Sequence, residues 1–157
     1  MTTPIHHGSF AITRQFAASP AQVFGAFANL QAKHQWFGSS PGFEIHEAGL
    51  DFRVSGTEVW AGKHVGGMAF RNDTTYHHIV PNARIVYCYT MTINGTVMST
   101  SLLSIELRPA AADTGTEMHL TEQIAVLDGS GAPCVIGREQ GTGGMLDRLG
   151  EFLAGQA

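Results

Sequence analysis

The stretch SPAQVFGAFANLQAKHQWF at residues 19–37 decides the fold, because it predicts a capped helix followed by an aromatic pair. Ser19 can act as the N-cap residue, and Pro20 fits the first helical position. Gln22 can reach back to the Ser19 amide, which completes a capping box. The sequence therefore predicts a helix that begins at Pro20. A second short helix is predicted over 29–36, before the turn-forming residues SSPG.

The rest of the chain up to residue 126 is typical of β-structure. Six segments are rich in Val, Ile, Thr, Tyr and Phe and are separated by turn formers. They cover 43–47, 52–60, 67–79, 84–93, 97–108 and 116–126, and 9–16 is predicted as an edge or entry strand. The dipeptide Asn94-Gly95 predicts a type I′ hairpin, so consecutive strands should be antiparallel.

The C-terminal segment predicts a final amphipathic helix. Its apolar residues follow the spacing of one helical face, and they are Met145, Leu146, Leu149, Phe152 and Leu153. The element order favours an α+β domain in which a curved antiparallel sheet of six to seven strands wraps around this helix. We expect residues 1–157 to form a single domain with space between helix and sheet.

Composition excludes several classes of function. Hydrophobic residues make up 43% of the chain and charged residues 14%, as a compact core requires. A net charge of −4 gives no basic surplus for nucleic-acid binding. Membrane insertion is not expected, since no apolar run approaches the roughly 20 residues that span a bilayer. We expect a soluble, cytoplasmic protein in which Cys88 and Cys134 are free thiols.

Several segments in order carry a family resemblance. They are SPAQVFGAF with HQWF, then DFRVSG at 51–56, YHHIVPNARIVY at 76–87, LTEQ at 120–123 and GTGGMLDRLGEFL at 141–153. Through them the chain resembles the SRPBCC superfamily (START-like, with the helix-grip fold of pollen allergens). Within it, the chain is similar to the AHSA-type homologues of the C-terminal domain of the activator of heat-shock ATPase. The resemblance implies an apolar cavity between the sheet and the closing helix, in a family whose members bind lipids, hormones and polyketides, act as cyclases, or contact chaperones.

Glu122 is the first candidate site residue. Alternation along its strand places this carboxylate on an otherwise apolar face with Met118, Leu120, Ile124 and Val126. Lining the cavity, it could accept a hydrogen bond from a ligand hydroxyl or amine. The alternative is a structural partner, since buried charges are usually paired. The candidate partners are Arg53, Arg71 and a tyrosine hydroxyl.

Other residues are predicted to form the cavity wall. Tyr87, Tyr89 and Met91 share one face of a strand and offer ring surface with polar tips. The remaining candidates are Trp36 and Phe37 at a cavity mouth, and Met145 and Leu149 on the closing helix. Ordinary core packing is the alternative for each of them.

No cofactor, metal or catalytic residue is predicted. The histidine pairs His6-His7 and His77-His78 cannot readily chelate one ion, since adjacent strand residues point to opposite faces. The glycines of GTGG at 141–144 lack the lysine of a phosphate loop and are better explained by close approach of the helix to the sheet.

The function that we predict from these features is binding of a small hydrophobic or amphipathic ligand in the cavity. The first alternative is an enzyme of the cyclase or hydrolase type, in which a cavity carboxylate and a Tyr or His form an acid-base pair. The second is a chaperone cofactor that acts through its surface. Exposed strand edges would permit a homodimer without requiring one.

Overall fold

The computed structural model describes residues 2–111 and 114–156, which form seven strands and three helices. In chain order they are β1 (His6–Phe16), α1 (Pro20–Ala28), α2 (Leu30–Trp36), β2 (Phe43–Leu50), β3 (Thr57–His64), β4 (Ala69–Val80), β5 (Arg84–Ile93), β6 (Thr96–Pro109), β7 (Thr116–Val126) and α3 (Ala132–Ala154). No helix in the described part of the chain is long and apolar enough to cross a membrane.

The strands form one antiparallel sheet in the order β1-β7-β6-β5-β4-β3-β2. Register shifts interrupt the pairing of β2 with β3, of β4 with β5 and of β5 with β6. Such bulges bend a strand and increase its twist, so the sheet curves. The helix α3 packs mainly against β1 and the two short helices. The predicted α+β helix-grip architecture is therefore confirmed.

The two short helices follow the predicted capping. The Ser19 side chain accepts from the Gln22 amide at 3.2 Å, and the Gln22 side chain accepts from the Ser19 amide at 2.9 Å. Asn29 is a cap residue and not the first helical residue, because its side chain accepts a hydrogen bond from the Ala32 amide. Asn29, in an extended conformation, thus ends α1 and caps α2, and both short helices contact α3.

One predicted strand is wrong in its first half. The segment 52–60 was expected to be extended, but β3 begins only at Thr57. Residues before it form a tight turn in which the Gly56 amide donates to the Arg53 carbonyl and Ser55 has φ of 67°. The backbone carbonyl of Asp51 leaves no room for a Cβ at Gly56. The apolar residues of this segment therefore belong to a turn and not to the sheet.

Candidate functional site

A cavity of about 550 Å³ lies between α3 and the inner face of the sheet. Its wall includes aromatic rings from the C-cap of α2 and from β2, β3, β4 and β5. These are Phe37, Phe43, Trp60, Phe70, Tyr87 and Tyr89. Four methionines also contribute, namely Met68, Met91, Met98 and Met145. Pockets of this size that are lined mostly by apolar side chains are typical of small-molecule sites.

The structure brings six of the eight predicted wall residues to the cavity and places two elsewhere. Phe37, Tyr87, Tyr89, Met91, Glu122 and Met145 line it. Trp36 does not, because its ring packs edge-on against Phe27 and its indole nitrogen donates to the Ala26 carbonyl at 3.0 Å. Leu149 is fully buried in the core and is not among the residues that line the cavity. Both residues stabilise the core that holds the cavity wall in place.

Glu122 lies at one side of the cavity with three donors on a single oxygen. Its Oε2 atom accepts from the Tyr89 hydroxyl at 2.6 Å, from the Ser101 hydroxyl at 2.7 Å and from the Arg138 guanidinium at 3.3 Å. Its Oε1 atom is buried and has no hydrogen-bond partner among the described residues. The tyrosine alternative for its partner is therefore confirmed. The arginine alternatives are wrong, because Arg53 and Arg71 pair with exposed carboxylates elsewhere.

Arg138 neutralises the Glu122 carboxylate from the first half of α3. Its guanidinium also donates to the Tyr89 hydroxyl at 2.7 Å and to the Ser99 hydroxyl at 2.8 Å. Burial lowers the pKa of Arg138, but the neighbouring Tyr89 and Glu122 outweigh it and the net shift is upward. Burial, reinforced by Glu122, raises the pKa of Tyr89. The Tyr89 hydroxyl therefore stays protonated at neutral pH and donates to Glu122 while it accepts from the Arg138 guanidinium.

A second buried ion pair lies between α2 and β3. The Lys33 ammonium is 2.8 Å from the Glu58 carboxylate, and both side chains are almost fully buried. The Tyr76 hydroxyl donates to Oε1 of Glu58 at 2.6 Å, and the Trp60 indole donates to Oε2 at 2.7 Å. Both oxygens of Glu58 are thus occupied, in contrast to Glu122. This pair fixes α2 to the sheet and has no free acceptor to offer a ligand.

Three tyrosines form a row across the inner face of the sheet between the two ion pairs. The ring of Tyr87 lies 5.6 Å from that of Tyr76 and 6.1 Å from that of Tyr89. The outer two each donate to a carboxylate, whereas the Tyr87 hydroxyl forms no hydrogen bond with the described residues. Burial raises the pKa of Tyr87, and Tyr89 and both carboxylates add to the shift. The central tyrosine therefore presents a protonated hydroxyl next to the cavity.

Two of the glycines of α3 contribute space and not close packing. Gly137 and Gly141 line the cavity, and a Cβ built on either would meet no other atom within 4 Å. The prediction of close helix approach is therefore wrong at Gly141. Glycine in a helix interior costs stability relative to alanine. At these two positions its absence of a side chain leaves the cavity open beside α3.

The sequence reasoning missed the charged partners and part of the wall. Ser99 and Ser101 stand on the same strand face as Leu103, so polar residues in an apolar stripe were a readable signal, as they were for Glu122. Lys33 and Arg138 gave no such signal, because a charged residue on a helix is ordinarily solvated. Only the fold shows that both side chains point inward.

Comparisons with known proteins agree with this architecture. A family model described as Activator of Hsp90 ATPase homolog 1-like protein matches residues 17–154. A solved protein from Rhizobium leguminosarum is 38% identical with a TM-score of 0.88, and the match covers 96% of this chain and 97% of that one. The Mll3558 protein from Rhizobium loti is 39% identical with a TM-score of 0.85, over 95% and 99% of the two chains.

A more distant structure shares the fold alone. CV1439 from Chromobacterium violaceum is 22% identical with a TM-score of 0.70, over 92% of this chain and 96% of that one. No curated protein matches the sequence. The family model spans most of the chain, and each of the two rhizobial structures covers at least 95% of it. The chain therefore belongs to the family of Activator of Hsp90 ATPase homolog 1-like proteins.

Proposed function

We propose that this protein binds a small, largely apolar molecule in the cavity between α3 and the sheet. The observation that carries the proposal is the cavity itself, which has about 550 Å³ of space and a wall of aromatic and methionine side chains. Many of these side chains, including Phe43, Phe70 and Met91, are only partly buried. Apolar surface of this extent is unfavourable in water unless something covers it.

The polar groups around the cavity support a ligand that is mostly apolar. The two carboxylates and the two cations that pair with them are already matched within the protein. A charged ligand that used any of these four groups would have to break a pair, and Arg148, which also lines the cavity, donates its Nε to the Trp36 backbone carbonyl at 3.2 Å. An apolar ligand needs only the rings and thioethers, and methionine adapts to irregular ligand shapes.

A cavity-filling substitution tests the proposal. Gly141→Leu places a side chain into the cavity, whereas Gly25→Leu places the same side chain on an exposed position of α1 where a Cβ also meets nothing. The probe is N-phenyl-1-naphthylamine, whose fluorescence rises in apolar surroundings. We expect the wild-type protein and Gly25→Leu to bind the probe alike, and Gly141→Leu to lose most of the binding. Equal binding by all three folded proteins would refute the proposal.

One observation favours acid-base catalysis as a second candidate. The Tyr89 hydroxyl and the Glu122 carboxylate are 2.6 Å apart, and both residues line the cavity. The arrangement matches a carboxylate and tyrosine acting on a bound substrate. Hydrolysis of 4-nitrophenyl octanoate that disappears in Glu122→Gln, while that variant still binds the naphthylamine probe, would support it. A chaperone-cofactor role stays a prediction from the family resemblance.

A further inference from the structure

The cavity wall contains one hydroxyl that the fold leaves unused. Tyr87 is 9% exposed, lines the cavity and forms no hydrogen bond with the described residues. Among these residues, the only buried side-chain oxygen or nitrogen that lacks a partner and is closed off from open space is Oε1 of Glu122. The Tyr87 hydroxyl also lacks a partner but is not closed off in this way, so part of its surface is accessible. The space that its side chain borders is the cavity.

The surroundings of this hydroxyl favour one kind of hydrogen bond over the other. Tyr87 lies between Tyr76 and Tyr89, which carry the Glu58 and Glu122 carboxylates at their tips. Although each carboxylate faces a cation, both still act on Tyr87 as negative charges, which makes its oxygen a better acceptor and a poorer site for a second electron-rich atom. A ligand O–H or N–H is thus preferred there over a ligand carbonyl or ether.

We propose that the cavity recognises a neutral molecule that carries a hydroxyl or N–H group, and that this group donates to the Tyr87 hydroxyl beside the Glu122 carboxylate. The inference rests on the proposed function, since it assigns the polar contact of the same apolar cavity. Glu122 acts here as a positioning residue, because its carboxylate, held by the Tyr89 and Ser101 hydroxyls, adds a negative potential next to Tyr87. The rest of the ligand is apolar and packs on the rings and methionines.

Three neutral probes on one ring scaffold separate the contributions. Naphthalene reports apolar burial alone, 2-naphthol adds a donor, and 2-methoxynaphthalene keeps the oxygen as an acceptor without a donor. Equilibrium dialysis gives the affinity of each probe for the wild-type protein and for Tyr87→Phe. The substitution retains the ring and removes a hydroxyl that holds no other residue in place, so the variant should fold.

We expect Tyr87→Phe to lower the affinity for 2-naphthol by about fivefold. The affinities for naphthalene and 2-methoxynaphthalene should change by less than about twofold. Glu122→Gln should weaken 2-naphthol selectively in the same way. Glu117→Gln, the same chemical change at an exposed position of β7, should change none of the three affinities. A cooperative thermal transition verifies that Glu122→Gln and Glu117→Gln are folded. The comparison of Tyr87→Phe with the wild-type protein tests the contact even if one of these two variants does not fold.

Two results would overturn the inference, and they differ in what else they affect. Equal weakening of all three probes in Tyr87→Phe, or no weakening of 2-naphthol, would refute the hydroxyl contact and leave the cavity as a binding site. Failure of naphthalene and of both derivatives to bind the wild-type protein would refute the proposed function together with the inference.

Discussion

The buried tyrosine row makes the stability of this protein sensitive to alkali. The chain contains three tyrosines in all, and each is at most 9% exposed. Burial raises the pKa of Tyr76, Tyr87 and Tyr89, and the nearby carboxylates raise it further. In the unfolded chain a tyrosine releases its proton near pH 10. The folded protein therefore retains three protons that the unfolded chain loses above that pH.

The direction and size of the effect follow from proton linkage. Because the folded-state pKa is raised, the contribution to stability is fully present below about pH 10 and is lost as the pH rises further. Each tyrosine costs about 1.4 kcal/mol per pH unit above its unfolded pKa. The three together lower the free energy of unfolding by about 4 kcal/mol at pH 11. Tyr87→Phe should remove about a third of this loss.

Urea denaturation at pH 9 and at pH 11 measures the difference for the wild-type protein and for Tyr87→Phe. At pH 9 the two proteins should have similar stability, because the Tyr87 hydroxyl makes no hydrogen bond with the described residues. The near-ultraviolet absorbance of tyrosinate should appear only when the protein unfolds. Tyrosinate absorbance in a fully folded sample near pH 10 would refute this account of the row.

Three further predictions concern the ion pair, the helix and the thiols. Lys33→Met should lower the free energy of unfolding by about 3–5 kcal/mol in urea, because it leaves a buried carboxylate without its cation; a loss below about 1 kcal/mol would contradict this. Gly141→Ala and Gly25→Ala should each raise the free energy of unfolding by about 0.5–1 kcal/mol, because alanine favours the helix and both Cβ atoms enter free space. A melting temperature of Gly141→Ala below that of the wild-type protein would contradict this. The naphthylamine probe should slow iodoacetamide labelling of Cys134, which lines the cavity, but not of Cys88. Peptide mass spectrometry measures the labelling of each thiol, and equal protection of both would argue against cavity binding.

The elements that the sequence predicted well are those with local chemistry. The capping box at Ser19, the Asn94-Gly95 turn and the alternation around Glu122 each depend on neighbours a few residues away. The strand predicted over 52–60 failed for the opposite reason. Its Phe and Val residues suit a strand, but the turn at Ser55 and Gly56 depends on a carbonyl that closes over the glycine.

The site was harder to predict than the fold because its polar contacts join distant segments. Glu122 on β7 meets Tyr89 on β5 and Arg138 on α3. The strand register and the position of α3 together bring these three residues into contact. Trp36 and Leu149 were assigned to the wall because they are apolar and lie beside true wall residues, Phe37 and Met145. Sequence spacing does not distinguish the side of a helix that meets the core from the side that meets a cavity.

Methionine methyl NMR tests the central claim most directly, since these residues report from the cavity and from the core at once. Met68, Met91, Met98 and Met145 line the cavity, whereas Met118 is fully buried on β7 away from it. With ¹³C-methyl methionine in the protein, we predict that N-phenyl-1-naphthylamine gives intermolecular NOEs to the four cavity methyls and none to Met118. Saturable binding without NOEs to the four cavity methyls would place the ligand elsewhere and contradict the account.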